Sequence, residues 1–312
     1  MNGVLKIFSA NSNLVLSEKI CNYLNIKLSE ALVDQFSDGE SRIKILESVR
    51  GADCFVIQST SPPVNQNLME LLLLIDALKR ASARRITAVI PYYGYSRQDR
   101  KDSPRVPITA KLVADLLQVA GAQRILLMDI HAQQIQGFFN CPVDNLLALP
   151  VVIKYLEEQE VDSLMVVAPD TGGVDRASLL GRKIGASLAL VDKRRPSPNI
   201  AKVYNVIGDV RGKNALVVDD MVDTAGTLAQ ISEALVKNGA KNVYAACTHG
   251  VLSGNAVEKI QQSPIKELLI TDTISIPQSK IISKIKVLSV AELLGEAIRR
   301  INEEVSVGEL FV

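Results

Sequence analysis

The stretch Ala215-Leu216-Val217-Val218-Asp219-Asp220-Met221-Val222-Asp223-Thr224-Ala225-Gly226-Thr227 reads as a buried strand that runs into acidic residues, a turn of small residues and the start of a helix. In α/β sheets the carboxyl ends of strands form the ligand face. Successive backbone N–H groups in a small-residue turn ahead of a helix make a nest for an anion. Thr224 and Thr227 add hydroxyl donors for a phosphate. Asp219 and Asp220 would repel that phosphate, so they either accept hydrogen bonds from sugar hydroxyls or reach a metal ion. Capping of the helix by Asp and Thr accounts for one acidic residue, but not for three together with Gly226.

The same alternation extends outward in both directions. Val4–Phe8, Asp53–Gln58, Arg85–Pro91, Arg124–Ile130, Ser163–Pro169, Ser187–Val191, Asn214–Asp219 and Asn242–Cys247 read as buried strands. Asn67–Ala83, Ile108–Ala120, Val174–Gly185 and Leu228–Asn238 carry apolar residues at helical spacing. Strands alternating with helices predict mainly parallel α/β sheets. Small-residue junctions at 81–86, 120–125 and 238–243 each end a helix and begin a strand. Two fall in the first half and one in the second, which suggests two similar domains meeting near Asn145–Pro150. A length of 312 residues accommodates two such domains.

Composition excludes several classes. Lys and Arg total 35 against 34 Asp and Glu, so the net charge of +1 gives no global attraction for nucleic acid or an anionic membrane. Any anion site must be local. With 47% apolar and 22% charged residues the chain is expected to be folded rather than disordered or collagenous. The longest aliphatic run, Leu71–Ile75, is far shorter than the ~18 apolar residues of a membrane helix. The opening residues carry no secretory pattern, and a cytoplasmic protein is expected. Cys21, Cys54, Cys141 and Cys247 lack metal or disulfide spacing and read as small buried side chains. Neither Gly-x-x-x-x-Gly-Lys-Ser/Thr nor Gly-x-Gly-x-x-Gly is present, which leaves a P-loop NTPase or a Rossmann dehydrogenase without support.

Other segments could carry chemistry. His131 follows strand Arg124–Ile130 with Asp129 two residues before it on the same alternating face. A lone histidine is commonly structural, yet a carboxylate and an imidazole together could orient Mg2+ or a nucleotide phosphate. His249, in a Thr-His-Gly turn, reads as a hydrogen-bonded structural residue. Arg97 to Arg105 packs four basic residues with Asp99 and Asp102, either a solvated loop or a phosphate contact. Asp192-Lys193-Arg194-Arg195 opens a segment that is either a basic turn or a loop closing over a polyphosphate. Pro169-Asp170-Thr171-Gly172-Gly173-Val174 is a second strand-to-helix turn whose glycines permit close approach of an anion.

Val218 to Thr227 closely resembles the phosphoribosyl diphosphate loop shared by type I phosphoribosyltransferases and ribose-phosphate diphosphokinases. Phe36-Ser37-Asp38-Gly39-Glu40, Pro91 with Arg97 to Asp102, Met128 to Phe139 and Thr248-His249-Gly250 extend the likeness over the whole chain and favour the diphosphokinase family. The resemblance implies an α/β fold of two tandem type I phosphoribosyltransferase-like domains with mainly parallel sheets. Residues 1–147, completed by a C-terminal helix 291–312, would form the ATP side, and 148–290 the ribose 5-phosphate side. The implied reaction moves the β,γ-diphosphoryl group of MgATP to the 1-hydroxyl of ribose 5-phosphate, giving 5-phosphoribosyl 1-diphosphate and AMP. Mg2+ is the implied cofactor, inorganic phosphate an activator and ADP an inhibitor. The implied assembly is a homo-oligomer, dimers with shared sites built into a hexamer.

Residue by residue, the resemblance matches Phe36, Asp38 and Glu40 to positions that hold adenine from a neighbouring subunit. Arg97, Gln98, Asp102 and His131 match ATP-binding positions, and His131 and Asp170 match metal contacts, with Asp129 beside them. Asp170, Thr171, Gly172 and Gly173 match a diphosphate loop, and Lys193 and Arg195 match catalytic-loop residues. Asp219 and Asp220 would hold the ribose hydroxyls, and Asp223, Thr224, Ala225, Gly226 and Thr227 the 5-phosphate. Ser48, Arg50, Ser82 and Ser306 look like a regulatory phosphate site. This chain departs from the family pattern at Asp175, where Lys is usual, at Pro196 and Pro198 in the basic loop, and at Gly308, where a Ser is common. Two rival readings are a base-joining phosphoribosyltransferase and a silent regulatory partner. Arg97–Asp102 counts against the first, and intact Lys193, Arg195 and His131 against the second.

Overall fold

A computed structural model describes residues 3–194 and 203–311. In chain order the elements are β1 (Leu5–Ser9), α1 (Leu14–Tyr23), β2 (Ala31–Gln35), β3 (Ser41–Ile45), β4 (Asp53–Ile57), α2 (Val64–Arg80), β5 (Arg85–Ile90), α3 (Thr109–Ala120), β6 (Arg124–Met128) and β7 (Val143–Leu146). They continue with α4 (Leu149–Glu158), β8 (Leu164–Ala168), α5 (Val174–Ile184), β9 (Ser187–Arg194), β10 (Val203–Ile207), β11 (Asn214–Val222), α6 (Gly226–Lys237) and β12 (Asn242–Gly250). The last are α7 (Ala256–Gln262), β13 (Ile265–Thr271), β14 (Ile285–Leu288) and α8 (Ala291–Glu303). The chain divides into two units. The first comprises Met1–Leu147, Thr273–Ser275 and Ser289–Val312, and the second Ala148–Asp272 and Ile276–Leu288.

The first unit holds a sheet of order β1-β4-β5-β6-β7, parallel throughout. β4 is buried along its whole length, which is why its residues form a continuous apolar run instead of an alternation. Against the sheet α2 buries Leu71, Leu74, Ile75 and Leu78, spaced at i, i+3, i+4 and i+7. Truncating any of them to Ala would cost about 2–5 kcal/mol. α8 buries Leu294, Ala297, Ile298 and Ile301, and it packs on α1 closely enough that a Cβ on Gly295 would lie 2.5 Å from Tyr23 Cδ1. Arg85 fastens this helix to the sheet. Its guanidinium pairs with the buried Asp53 and donates to the Ile301 carbonyl at 2.8 Å.

The second unit holds a sheet of order β10-β9-β8-β11-β12-β13-β14, in which β10 runs antiparallel and its other described pairings are parallel. Both sheets are thus mainly parallel α/β layers, the fold class read from the sequence.

Several boundaries differ from the sequence reading. β11 and β12 reach Val222 and Gly250, because their mutual pairing continues to Met221↔His249 and Val222↔Gly250. Asp219 and Asp220 therefore lie inside a strand. β9 continues to Arg194 because β10 supplies a partner, with Lys193↔Tyr204 and Arg194↔Val203 in register, so Asp192–Arg194 do not open a loop. β6 stops at Met128, since Asp129 takes a left-handed φ of 42°. The C-terminal helix ends at Glu303 in a left-handed cap and is followed by a short 3-10 turn at Gly308–Phe311, so it does not run unbroken from 291 to 312. Cys21, Cys54 and Cys247 are buried free thiols, whereas Cys141 is only half-buried. Among the described residues no helix is long and apolar enough to cross a membrane.

Candidate active site

In the second unit β11 delivers Asp219 and Asp220 to its carboxyl end. Asp220 is 5% exposed. The Arg176 guanidinium, from the first turn of α5, approaches both carboxylates, with Nη1 at 4.0 Å from Asp219 Oδ1 and 3.8 Å from Asp220 Oδ1. Burial, reinforced by the neighbouring Asp220 charge, pushes the Asp219 carboxyl up to about 8. Burial also raises the Cys247 thiol on the adjoining strand, with the two carboxylates adding to the shift. This strand end gathers two carboxylates beside one guanidinium that approaches both. A polyol or a cation would suit these carboxylates.

Beyond Val222 the chain turns sharply. Ala225 adopts φ 57°, and α6 begins at Gly226 with no side chain capping it and no acidic residue in its first turn. The first amides of a helix have no intrahelical acceptor, and their dipoles favour negative charge. Thr224 and Thr227 are exposed beside them. The turn is held from behind: Val251 and Leu252 N–H donate to the Val222 carbonyl at 3.0 and 3.1 Å, and Ser253 N–H to the Asp223 carbonyl at 3.0 Å. Lys259 Nζ donates to the Thr224 carbonyl at 3.2 Å.

The turn at Asp170–Gly173 is built differently. Asp170 Oδ1 accepts from Gly172 N–H at 2.9 Å and Gly173 N–H at 3.1 Å, so its own carboxylate occupies the amide nest. Gly173 is pressed on the chain before it, and a Cβ there would lie 2.9 Å from Pro169 Cδ. Asp175 is exposed in the first turn of α5, where an acidic side chain complements the helix dipole. The charge reversal noted in the sequence therefore suits the helix. Lys193 lies on β9, while Arg195, Pro196 and Pro198 lie outside the described residues.

In the first unit Phe36–Glu40 forms the exposed turn of the β2–β3 hairpin. Phe36 N–H donates to the Glu40 carbonyl at 2.8 Å, Asp38 Oδ1 accepts from Glu40 N–H at 3.1 Å, and Arg42 stacks 5.2 Å above the Phe36 ring. An aromatic ring held on one face and exposed on the other can stack on a base. Arg97 and Asp102 are exposed in the loop after β5, and Gln98 is held there by Gln98 N–H to the Tyr95 carbonyl and Ala110 N–H to the Gln98 carbonyl. The strand-alternation argument for Asp129 and His131 does not hold. Asp129 is 1% exposed in its left-handed turn while His131 is exposed, so the two do not share a strand face. Among the described residues no three His, Cys, Asp or Glu side chains gather as a metal cluster. Gly51 N–H donates to the Ser82 carbonyl at 3.0 Å, tying the loop of Ser48 and Arg50 to Ser82, and Ser306 Oγ caps Gly308 N–H at 3.1 Å.

Residues 5–121 match the model of the N-terminal domain of ribose phosphate pyrophosphokinase, and residues 164–312 match the phosphoribosyl synthetase-associated domain. Over 308 residues, 98% of each chain, the sequence is 59% identical to a ribose-phosphate pyrophosphokinase of Caldanaerobacter subterraneus subsp. tengcongensis. This chain belongs to the ribose-phosphate pyrophosphokinase family. Another member, from Bacillus subtilis, is 54% identical over 307 residues, covering 98% of this chain and 97% of that one. The crystal structure of phosphoribosylpyrophosphate synthetase from Mycobacterium smegmatis superposes with a TM-score of 0.92 at 42% identity, covering 96% of this chain and 99% of that one. The chain therefore has the two tandem phosphoribosyltransferase-like α/β domains of the pyrophosphokinase family.

Two residues at the second unit's turns escaped the sequence reading. Arg176 stands two residues beyond the Pro169–Val174 turn, and its carboxylate partners lie on β11. Lys259 carries no local motif at all.

Proposed function

We propose that this chain is a ribose-phosphate diphosphokinase, transferring the β,γ-diphosphoryl group of MgATP to the 1-hydroxyl of ribose 5-phosphate and releasing AMP. The observation that carries this reading is the uncapped amide turn at Asp223–Thr227 immediately after the Asp219–Asp220 pair, in a chain akin to pyrophosphokinases along its whole length. Amides and hydroxyls of Thr224, Ala225, Gly226 and Thr227 take the 5-phosphate, and Asp219 and Asp220 accept from ribose hydroxyls. Phe36, Asp38 and Glu40 hold adenine, while Arg97, Gln98, Asp102 and His131 bind the nucleotide. Asp170 to Gly173 bind the transferred diphosphate.

Mg2+ is proposed as the cofactor, a hard cation that takes one or two carboxylates and completes its shell with substrate phosphates and water. The resemblance offers Asp170 and the exposed His131 for it, whereas Asp129, 1% exposed, is not open to a ligand. Bound there it would neutralise polyphosphate charge. Phosphoryl transfer asks little covalent chemistry of the protein, so positioning and charge stabilisation carry the rate. Lys193 and Arg195 supply that charge. Replacing either with Ala is expected to lower kcat by ~100-fold or more while substrate dissociation constants move only a few-fold. Unchanged kcat would remove them from catalysis. Ser48, Arg50, Ser82 and Ser306 are proposed to bind activating phosphate, with ADP as inhibitor, in a cytoplasmic homohexamer built from dimers.

A further inference from the structure

Lys259 sits on α7, outside every motif that marks the substrate loops. Its Nζ donates to the Thr224 carbonyl at 3.2 Å and lies 3.8 Å from the point where a Cβ on Gly226 would stand. The ammonium is thus beside the first residue of α6. Its place is not accidental to a loose side chain, because the segment leading into α7 is pinned to the same turn through Val251, Leu252 and Ser253 N–H. Lys280 Nζ, donating to the Leu252 carbonyl at 2.8 Å, braces that segment from the other side.

Electrostatically this is the wrong end of a helix for a cation. The start of α6 carries positive partial charge, has no capping side chain and has no acidic residue in its first turn. A lysine there adds its charge to the positive end of the helix dipole, though Asp223 lies in the turn before it, and one carbonyl oxygen uses only one of its three N–H donors. The arrangement becomes favourable when an anion arrives to face the helix amides and the ammonium together. From this geometry we infer that Lys259 is a positioning residue for the sugar phosphate: it holds the turn open through the Thr224 carbonyl and directs its remaining donors to the 5-phosphate. The inference rests on reading the 223–227 turn as the ribose 5-phosphate site.

The test is steady-state kinetics of full-length Lys259→Met and Lys259→Arg, together with melting shifts induced by ribose 5-phosphate alone. Met keeps the stem and removes the charge. The expected result for Lys259→Met is a KM for ribose 5-phosphate raised ~10- to 100-fold, with kcat within about threefold of the parent and KM for ATP unchanged, as for loss of one hydrogen bond to a charged group. Lys259→Arg is expected to restore most of that loss, which a purely structural lysine would not produce. A KM within twofold of the parent in Lys259→Met overturns the inference, as does an equal rise in both KM values without rescue by Arg. The failure of the wider reading would look different. If the parent protein makes no AMP with ribose 5-phosphate, yet the sugar phosphate raises its melting temperature and that rise vanishes in Lys259→Met, the anion site stands and the reaction assignment falls.

Discussion

The second unit contains two strand-to-helix turns of similar outline, and they treat their amides in opposite ways. At 170–173 the Asp170 carboxylate caps Gly172 and Gly173, so the nest is filled by the chain itself. At 223–227 the N-cap is Ala225, with no acceptor to offer, and a lysine stands beside the open amides. The first turn is stable as it is and must release Asp170 before it can hold an external anion. The second leaves its helix amides uncapped, with Lys259 beside them, and becomes satisfied when a phosphate binds. Glycine and small-residue content alone does not separate a ready phosphate site from a self-capped one. What separates them is the residue at the N-cap.

The sharpest way to break that contrast is Thr227→Val, which removes a hydroxyl at the open turn without changing volume. KM for ribose 5-phosphate is expected to rise ~10- to 100-fold with the melting temperature nearly unchanged, which kinetics and calorimetry together would read. At the self-capped turn, Asp170→Ala should cost ~1 kcal/mol of stability, as for other lost caps. It should also tighten metal-free binding of inorganic diphosphate, measured by titration calorimetry. Weaker or equal binding would show that Asp170 does not compete for those amides.

Asp219 offers a pH test. Its folded carboxyl is raised from 3.8 to about 8, so between those values the folded chain holds a proton that the unfolded chain has lost. Stability should therefore fall as pH rises from about 4 to about 8. Asp219→Asn should flatten that slope, by on the order of 1 kcal/mol once solvent access is allowed for, in denaturant titrations at pH 5 and pH 8.5. The smallest effect is expected for Gly226→Ala. A Cβ there meets nothing closer than 3.8 Å, so the fold should tolerate it with a gain of roughly 0.5 kcal/mol, while ribose 5-phosphate binds more weakly because the methyl group crowds the approach to the amides.

The inner strands were legible because burial on both faces writes itself as continuous apolar runs, as in β4. The β2–β3 hairpin left no such continuous run, since its strands are at most half-buried and mix apolar with charged residues. Strand ends were legible only to the point where pairing with a neighbour prolonged them: the sequence carried this strand to Asp219, whereas β11 continues through Asp220 to Val222. Asp129 was misplaced because one left-handed residue breaks the alternation that sequence reading assumes. Arg176 and Lys259 could not be paired with their sites at all, because their partners are distant in sequence and meet them through the folding of separate βα units.

The most direct measurement of the central claim is phosphorus NMR of the purified protein with ATP, ribose 5-phosphate, Mg2+ and inorganic phosphate, against a control without the sugar. The account predicts AMP and a sugar 1-diphosphate appearing one to one, and only when ribose 5-phosphate is present. AMP without a sugar diphosphate, or no turnover while ribose 5-phosphate is bound, would contradict it.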